Sequence, residues 1–234
     1  MNPTKIEWTD CSWNPISGCS RGCSYCYAKP IALRLAGRYG YDATNPFAPT
    51  FHQDHLSEPI KRAKPAKIFT CSMGDFFDSC VKEEWREEVY KVMDATPRHV
   101  YQILTKQVPI EPHFRNGFPK NMWLGVTVDG TSNYWEEPLC VLKSSSAAIK
   151  FICFEPVLGD CFPDDLSFID WIIIGAQTGR GAKKVNQKHV RALMNIQNIS
   201  KIPLFTKQNI RTQLEQNAEF DWIQRTEFPK YSVN

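Results

Sequence analysis

The sequence predicts an α/β fold built on a parallel sheet, and three observations support this fold class. Short apolar runs recur along the 234-residue chain, and their lengths are typical of buried strands. The runs are apolar at successive positions, as strands are when helices cover both faces of a parallel sheet. Amphipathic helical patterns separate several of the runs, which is the order of right-handed βαβ units.

Six of these runs are predicted strands, and an earlier strand is expected within Ile6–Trp13. Helical patterns begin at Ile31–Leu35 and cover Glu83–Ala95 and Lys188–Ile199. The strand count is low for a complete eight-stranded barrel, which usually needs about 250 residues. We therefore expect one domain over residues 1–234 with a partial or shortened barrel, and a doubly wound open sheet is the alternative. The six predicted strands are Lys67–Cys71, Val100–Leu104, Met122–Val128, Ile149–Phe154, Trp171–Gly175 and Pro203–Thr206.

The overall composition excludes several classes of protein. The net charge of +3 and the pI near 8.3 are mild, whereas dedicated nucleic-acid binders are usually more basic. No apolar run approaches the roughly 18 residues that a membrane span needs. The first residues also lack the apolar core of a signal peptide. We therefore expect a cytoplasmic protein without a membrane partner.

Long polar side chains follow nearly every predicted strand. In α/β folds of this kind, the ligand site lies at the carboxyl ends of the strands. Small residues such as Gly74 stand among these side chains and would leave room for a ligand. The candidate site residues at strand ends are Ser72, Met73, Gly74, Asp75, Thr105, Lys106, Glu155, Gln177, Lys207 and Gln208.

The most specific motif is a Cys-x3-Cys-x2-Cys spacing at Cys19, Cys23 and Cys26. Three thiolates at this spacing can hold three irons of a 4Fe-4S cluster and leave the fourth iron open to another ligand. Zinc is the first alternative, with Cys11 or a histidine such as His52 or His55 completing the site, although a second zinc knuckle is missing. Unliganded thiols are the second alternative.

The cysteine loop, with Tyr25 before its last cysteine, resembles that of the radical S-adenosylmethionine superfamily. The wider pattern is similar to a phage-associated three-cysteine family of that superfamily, itself distantly similar to spore photoproduct lyase. The resemblance extends in order over nearly the whole chain. It includes Ile6–Asp10, Trp13–Pro15, Cys71–Asp78, Leu104–Lys106, Trp123–Thr127, Phe154–Gly159, Ile174–Gly179 and Phe205–Gln208.

This resemblance implies a partial (β/α)6-type, TIM-like barrel with a 4Fe-4S cluster on Cys19, Cys23 and Cys26. S-adenosylmethionine would bind the open iron and be cleaved reductively to give a 5′-deoxyadenosyl radical. The resemblance places Tyr25 near the adenine and the Ser72–Asp75 turn at the methionine amino group, with Asp75 as acceptor. The electron would come from an external donor of the flavodoxin or ferredoxin type.

The remaining assignments also follow from the resemblance. Thr105, Lys106 and Glu155 would contact the cofactor or the substrate, and Gln177, Lys207 and Gln208 would face the substrate. At Gln177 the family pattern leads us to expect a glutamate, so an amide replaces a carboxylate there. The expected substrate is a nucleotide or a nucleic-acid base, and a phage-encoded protein would act in the cytoplasm of a bacterial host. The alternative function is a non-catalytic iron–sulfur or zinc protein with a binding role.

Overall fold

The computed structural model describes residues 1–112, 116–179 and 181–231 and has an α/β fold. The strands are β1 Asn2–Pro3, β2 Cys11–Trp13, β3 Ile16–Ser17, β4 Thr50–Phe51, β5 Lys67–Thr70, β6 Val100–Thr105, β7 Met122–Thr127, β8 Ile149–Phe154, β9 Trp171–Ile174 and β10 Leu204–Thr206. The α-helices are α1 Ala28–Arg34, α2 Glu58–Lys61, α3 Glu83–Ala95, α4 Glu136–Ser144, α5 Gln187–Met194 and α6 Gln208–Leu214. Short 3-10 helices cover Gln53–Ser57, Ile199–Lys201 and Ala218–Ile223.

Contacts along the chain divide it into two compact units. The first comprises the described residues of 1–124 and 145–148. The second comprises residues 125–144 and 149–232, of which 180 and 232 are not described. No helix in the described ranges is long and apolar enough to cross a membrane.

The first unit contains a sheet with the strand order β1-β2-β5-β6-β7. Strands β2, β5 and β6 pair in parallel, with Ile68 of β5 opposite both Cys11 and Tyr101. The edge strand β1 runs antiparallel to β2. Because parallel strands end at the same edge, the residues that follow β5 and β6 lie side by side.

Helix α3 shows how the sequence sets an element of this unit. Its first turn carries Glu83 and Glu84, whose charges are favourable at a helix N-terminus. It ends at Ala95, since Pro97 disfavours helical backbone at the preceding residue, Thr96. Its apolar face is buried through Val89, Tyr90, Val92 and Met93.

The second unit contains the end of β7 followed by β8, β9 and β10, in that order. Strands β8, β9 and β10 pair in parallel, with Ile172 opposite both Ile152 and Leu204. Every residue of β9 is buried, as expected for a strand covered on both faces. The carboxyl ends of these three strands therefore bring Glu155, Gly175 and Lys207 to one edge of the sheet.

The predicted strands are confirmed, and no end of the six differs by more than one residue. The helix over Glu83–Ala95 is confirmed at both ends, whereas the last helical pattern ends at Met194 rather than Ile199. The structure adds elements that the sequence pattern did not predict. These are β1, the small antiparallel sheet of β3 and β4, and helices α2, α4 and α6.

Candidate functional site

The cysteine loop (residues 18–26) is joined by its backbone to the turn that follows β5. The backbone N–H of Gly18 donates to the carbonyl of Met73 at 2.9 Å, and the backbone N–H of Asp75 donates to the carbonyl of Gly18 at 3.2 Å. A Cβ on Gly74 would lie 2.5 Å from the Gly18 oxygen, so the two backbones approach this closely only because residue 74 is glycine. The loop and the predicted Ser72–Asp75 turn therefore form one structure.

A buried carboxylate holds the first part of the cysteine loop. Asp78 is inaccessible to solvent, and its Oδ2 accepts hydrogen bonds from the backbone N–H and the hydroxyl of Ser20 at 2.7 and 2.8 Å. Its Oδ1 accepts from the N–H of Cys80 at 3.0 Å. Burial acts to raise the pKa of Asp78, but these donors outweigh it and the pKa is lowered. The carboxylate is therefore an ionised anchor beside Cys19.

Asp75 connects the same turn to the end of β6. Its Oδ1 accepts hydrogen bonds from the Thr105 hydroxyl at 2.6 Å and the Phe77 N–H at 3.0 Å, and its Oδ2 accepts from the Lys106 N–H at 3.0 Å. An ionised carboxylate offers about four lone-pair sites, so these donors leave about one for a ligand. Burial is the largest influence on this carboxyl and raises its pKa.

Lys106 lies where the end of β6 meets the cysteine loop. Its ammonium stands 5.5 Å from the centre of the Tyr25 ring, which is a cation–π distance. Its carbonyl accepts a hydrogen bond from the Arg21 guanidinium at 2.8 Å. Tyr27 donates from its hydroxyl to the carbonyl of Ser72. The structure thus brings together all the predicted site residues of the first unit.

The three cysteines are free thiols, each half-buried. The N–H groups of Arg21 and Lys29 point at the sulfurs of Cys19 and Cys26, both at 3.4 Å. Cys19 and Cys26 also pack, with Met73 and Tyr41, against a small apolar cluster of Ala28, Ala32 and Phe47. Three accessible thiols on one loop, with N–H donors directed at sulfur, fit the donor set of an iron–sulfur cluster.

The thiols must lose their protons before they can bind metal. Burial raises the pKa of Cys19 to about 12, and the charges of Asp75 and Asp78 act in the same direction. A metal that binds here must therefore displace a firmly held proton. Across residues 1–112, 116–179 and 181–231, no group of three or more His, Cys, Asp or Glu side chains is arranged to hold a metal ion.

The side chains considered for a zinc site have other contacts. Cys11 is buried in β2. His52 lies 2.7 Å through its Nε2 from the Ser17 hydroxyl, and His55 lies 3.0 Å through its Nδ1 from the Asn14 carbonyl. The two imidazole rings stack on each other at 5.1 Å. These histidines support the backbone that leads into the cysteine loop.

In the second unit, Glu155 and Lys207 form a partly buried ion pair at the carboxyl ends of β8 and β10. Gly175 lies between them at the end of β9, where a Cβ would stand 2.9 Å from the Cδ atoms of both side chains. The thiol of Cys153 points at the other oxygen of Glu155 at 3.6 Å. The ion pair therefore depends on glycine at position 175.

The other two predicted residues of this unit make local hydrogen bonds. Gln177 accepts from the N–H of Lys183 at 3.3 Å, and Gln208 accepts from Arg211 at 2.8 Å. The backbone before Gln177 is held by Asn209, whose side chain bonds both the N–H and the carbonyl of Ala176. Glu155 and Lys207 therefore contact each other directly, whereas Gln177 and Gln208 each bond a residue near them in the sequence.

Sequence reasoning missed three residues that position the site. Asp78 ends the stretch Cys71–Asp78 that carries part of the family resemblance, but nothing in its spacing indicates that it bonds Ser20. Asn14 accepts from the hydroxyl of Ser72 and the N–H of Met73, at 3.1 and 2.9 Å. Asn209 is the third. Asn14 and Asn209 are short polar side chains close after a predicted strand end, which is a signal that could have found them, whereas Asp78 lies farther from any predicted strand.

Comparison with known proteins gives a match to a family model. No curated protein and no solved structure gives a significant match to the chain. The match is to a protein family, and it covers residues 3–222, which include the cysteine loop and every candidate site residue. The chain therefore belongs to the family described as "Protein of unknown function (DUF5131)".

Proposed function

We propose that this protein is a radical S-adenosylmethionine enzyme whose cysteine loop binds a 4Fe-4S cluster through Cys19, Cys23 and Cys26. The observation that carries the proposal is that this loop and the turn after β5 are joined by backbone hydrogen bonds. Gly18 and Gly74 join the two segments by backbone hydrogen bonds, so three thiols stand beside the polar ends of parallel strands. A purely structural metal would not need those strand-end side chains.

The cluster would supply one electron to the sulfonium of S-adenosylmethionine, giving methionine and a 5′-deoxyadenosyl radical that abstracts a hydrogen atom from the substrate. The chain's own residues hold and orient the reactants. Asp78 fixes Ser20 and so the loop, and Asp75 ties the turn to Thr105 and Lys106. The remaining lone pair on Asp75 is available to the amino group of the cofactor's methionine.

The other strand-end residues have supporting roles in this proposal. Tyr25, which has Lys106 over its ring, would lie by the adenine. Ser72, Met73 and Thr105 would contact the cofactor, and Glu155 would contact the cofactor or the substrate. Gln177, Lys207 and Gln208 face the substrate, which we propose is a nucleotide or nucleic-acid base. The parallel strands are consistent with a partial (β/α)6-type barrel, the architecture that this function would use.

Two further proposals follow from the chemistry of the site. The reducing electron comes from an external donor of the flavodoxin or ferredoxin type. The protein works in a reducing cytoplasm, because all nine of its cysteines are free thiols. If the gene is carried by a phage, that cytoplasm is the bacterial host's.

Anaerobic reconstitution with iron and sulfide tests the proposal. We expect a brown protein that, once reduced with dithionite, converts S-adenosylmethionine to 5′-deoxyadenosine. Cys23→Ala should lose this cleavage, whereas Cys80→Ala should keep it, since Cys80 is an exposed cysteine outside the loop. A colourless protein that purifies with one zinc would instead support the binding role, and cleavage retained by Cys23→Ala would refute the ligand assignment.

A further inference from the structure

Helix α1 and the turn after it present an exposed surface that combines cations with large apolar side chains. Tyr27, Leu33 and Tyr39 are 50, 55 and 78% exposed, among the most exposed large hydrophobic residues of the described chain. The i, i+4 spacing puts Lys29 with Leu33, and Pro30 with Arg34, on the solvent side of the helix. We call Tyr27, Lys29, Leu33, Arg34, Arg38 and Tyr39 the α1 patch.

The charged members of the α1 patch are all cations. The sequence from residue 11 to residue 41 contains Arg21, Lys29, Arg34 and Arg38, and the first carboxylate, Asp42, follows directly after it. The guanidinium of Arg38 bonds the carbonyl of Arg34, which keeps that cation at the end of the helix. In a chain whose net charge is only +3, four cations in this short segment make a local positive field.

The α1 patch begins at the cysteine loop. Tyr27 directly follows Cys26, and the backbone N–H of Lys29 points at the Cys26 sulfur at 3.4 Å. Tyr27 also bonds the carbonyl of Ser72, so its half-exposed ring stands between the patch and the turn after β5. A molecule that covered the patch would therefore approach the loop thiols closely.

We propose that the α1 patch is the docking surface for a small acidic electron-carrier protein with a flavin or iron–sulfur group. This inference rests on the proposed function, which requires an electron from outside the chain. The donor gives up one electron and is oxidised by one unit, and a 4Fe-4S cluster held by the three cysteines would accept that electron and be reduced by one unit. Because the rate of electron transfer decreases steeply with the distance between donor and acceptor, the donor must dock on a surface close to the thiols.

The composition of the patch favours a protein over a nucleic acid. Tyrosine and arginine are enriched in protein–protein interfaces, and exposed apolar side chains such as Leu33 gain free energy when another protein buries them. Opposite charges steer the encounter and speed association without requiring tight binding. A phosphate backbone is contacted by many cations along a groove, whereas this patch has three around an apolar centre.

The test compares two reductants on the reconstituted full-length protein. Arg34→Glu combined with Arg38→Glu reverses the patch charge, and Lys5→Glu combined with Lys230→Glu makes the same change in net charge at exposed positions elsewhere. The rate of 5′-deoxyadenosine formation is measured with dithionite and with a reduced bacterial flavodoxin. With flavodoxin we expect the rate of the patch variant to be about tenfold lower than that of the wild type, which is about 1.4 kcal/mol. The rate of the control variant should stay within about twofold of the wild-type rate.

With dithionite, which needs no docking surface, both variants should match the wild type. Raising the salt concentration should lower the flavodoxin-supported rate of the wild type, because it screens the attraction. Leu33→Gln, which keeps every charge, should weaken the flavodoxin-supported rate several-fold and spare the dithionite rate. This second variant tests the patch even if the double charge reversal disturbs the helix.

Several results would overturn the inference. Equal flavodoxin-supported rates in the wild type, the patch variant and Leu33→Gln would show that the donor docks elsewhere. Loss of the dithionite-supported rate in the patch variant would show that these substitutions disturb the cysteine loop and not the docking of a donor. A single-stranded oligonucleotide that displaces flavodoxin and binds the patch more tightly would assign the surface to nucleic acid. Failure of the wild type with dithionite would instead refute the proposed function, and the docking proposal with it.

Discussion

Replacement of Asp78 by alanine tests whether this carboxylate holds the cysteine loop. The side chain is fully buried, accepts two hydrogen bonds from Ser20 and one from Cys80, and also makes a hydrogen bond with the Cys19 thiol. A hydrogen bond to a charged group contributes about 1.5–3 kcal/mol, and alanine removes the desolvation cost that partly offsets this gain. We therefore expect Asp78→Ala to lower the free energy of unfolding by about 2–4 kcal/mol.

Ser20→Ala is the matched control, because it removes only the hydroxyl donor and should cost about 1 kcal/mol. Urea denaturation followed by circular dichroism measures both values on the metal-free protein. Iron per chain after reconstitution gives the second measurement, and it should fall more in Asp78→Ala than in Ser20→Ala. If Asp78→Ala unfolds within about 0.5 kcal/mol of the wild type and binds as much iron, the carboxylate does not position the loop.

Three further predictions follow from close contacts and burial. Gly74→Ala puts a methyl group 2.5 Å from the Gly18 oxygen, so it should cost about 1–3 kcal/mol and reduce iron binding; normal iron content would contradict this. Gly175→Ala should separate Glu155 from Lys207, and its cost in a thermal melt should shrink when Lys207→Met is also present; additive costs would refute the coupling. Burial lowers the pKa of His52 below 6.5, so the unfolded chain takes up this proton first. The free energy of unfolding should therefore decrease as the pH is lowered from about 6.5, and His52→Gln should make this decrease smaller. An unchanged dependence of the unfolding free energy on pH in His52→Gln would contradict the prediction.

Gly179→Ala is the control for the first of these substitutions. It adds the same methyl group to a glycine where no atom of the residues that the structure describes lies within 4 Å of the new carbon. Its φ of +96° means that alanine there carries backbone strain of about 1–2 kcal/mol. Because Gly179 lies outside the cysteine loop, its iron content should stay normal.

The strand framework could be predicted because its signal is local. Continuous apolar runs such as Ile149–Phe154 and Trp171–Gly175 indicate buried parallel strands directly. The two-residue strands β3 and β4 could not be found this way, because Ile16 pairs with Phe51 across 35 residues. Helix α2 has only four residues, too few to show a helical period.

The candidate site was predictable to the level of strand ends and no further. The rule that ligands bind at the carboxyl ends of parallel strands gave Asp75, Thr105 and Lys106 as neighbours, and the structure joins them by hydrogen bonds. The bonds from Ser20 to Asp78 and from Ser72 to Asn14 each span 58 residues of sequence. Such pairs depend on how the loop folds back, which a single sequence does not encode as a pattern.

The central claim is that Cys19, Cys23 and Cys26 hold three irons of a cluster and leave the fourth iron open to S-adenosylmethionine. Electron paramagnetic resonance of the reduced, reconstituted protein tests it most directly, with spectra taken before and after the addition of S-adenosylmethionine. We predict that the cluster signal changes its shape on addition, and that substitution of Cys11, His52 or His55 leaves this change intact. A spectrum that the sulfonium compound does not alter would show that another ligand already occupies the fourth iron.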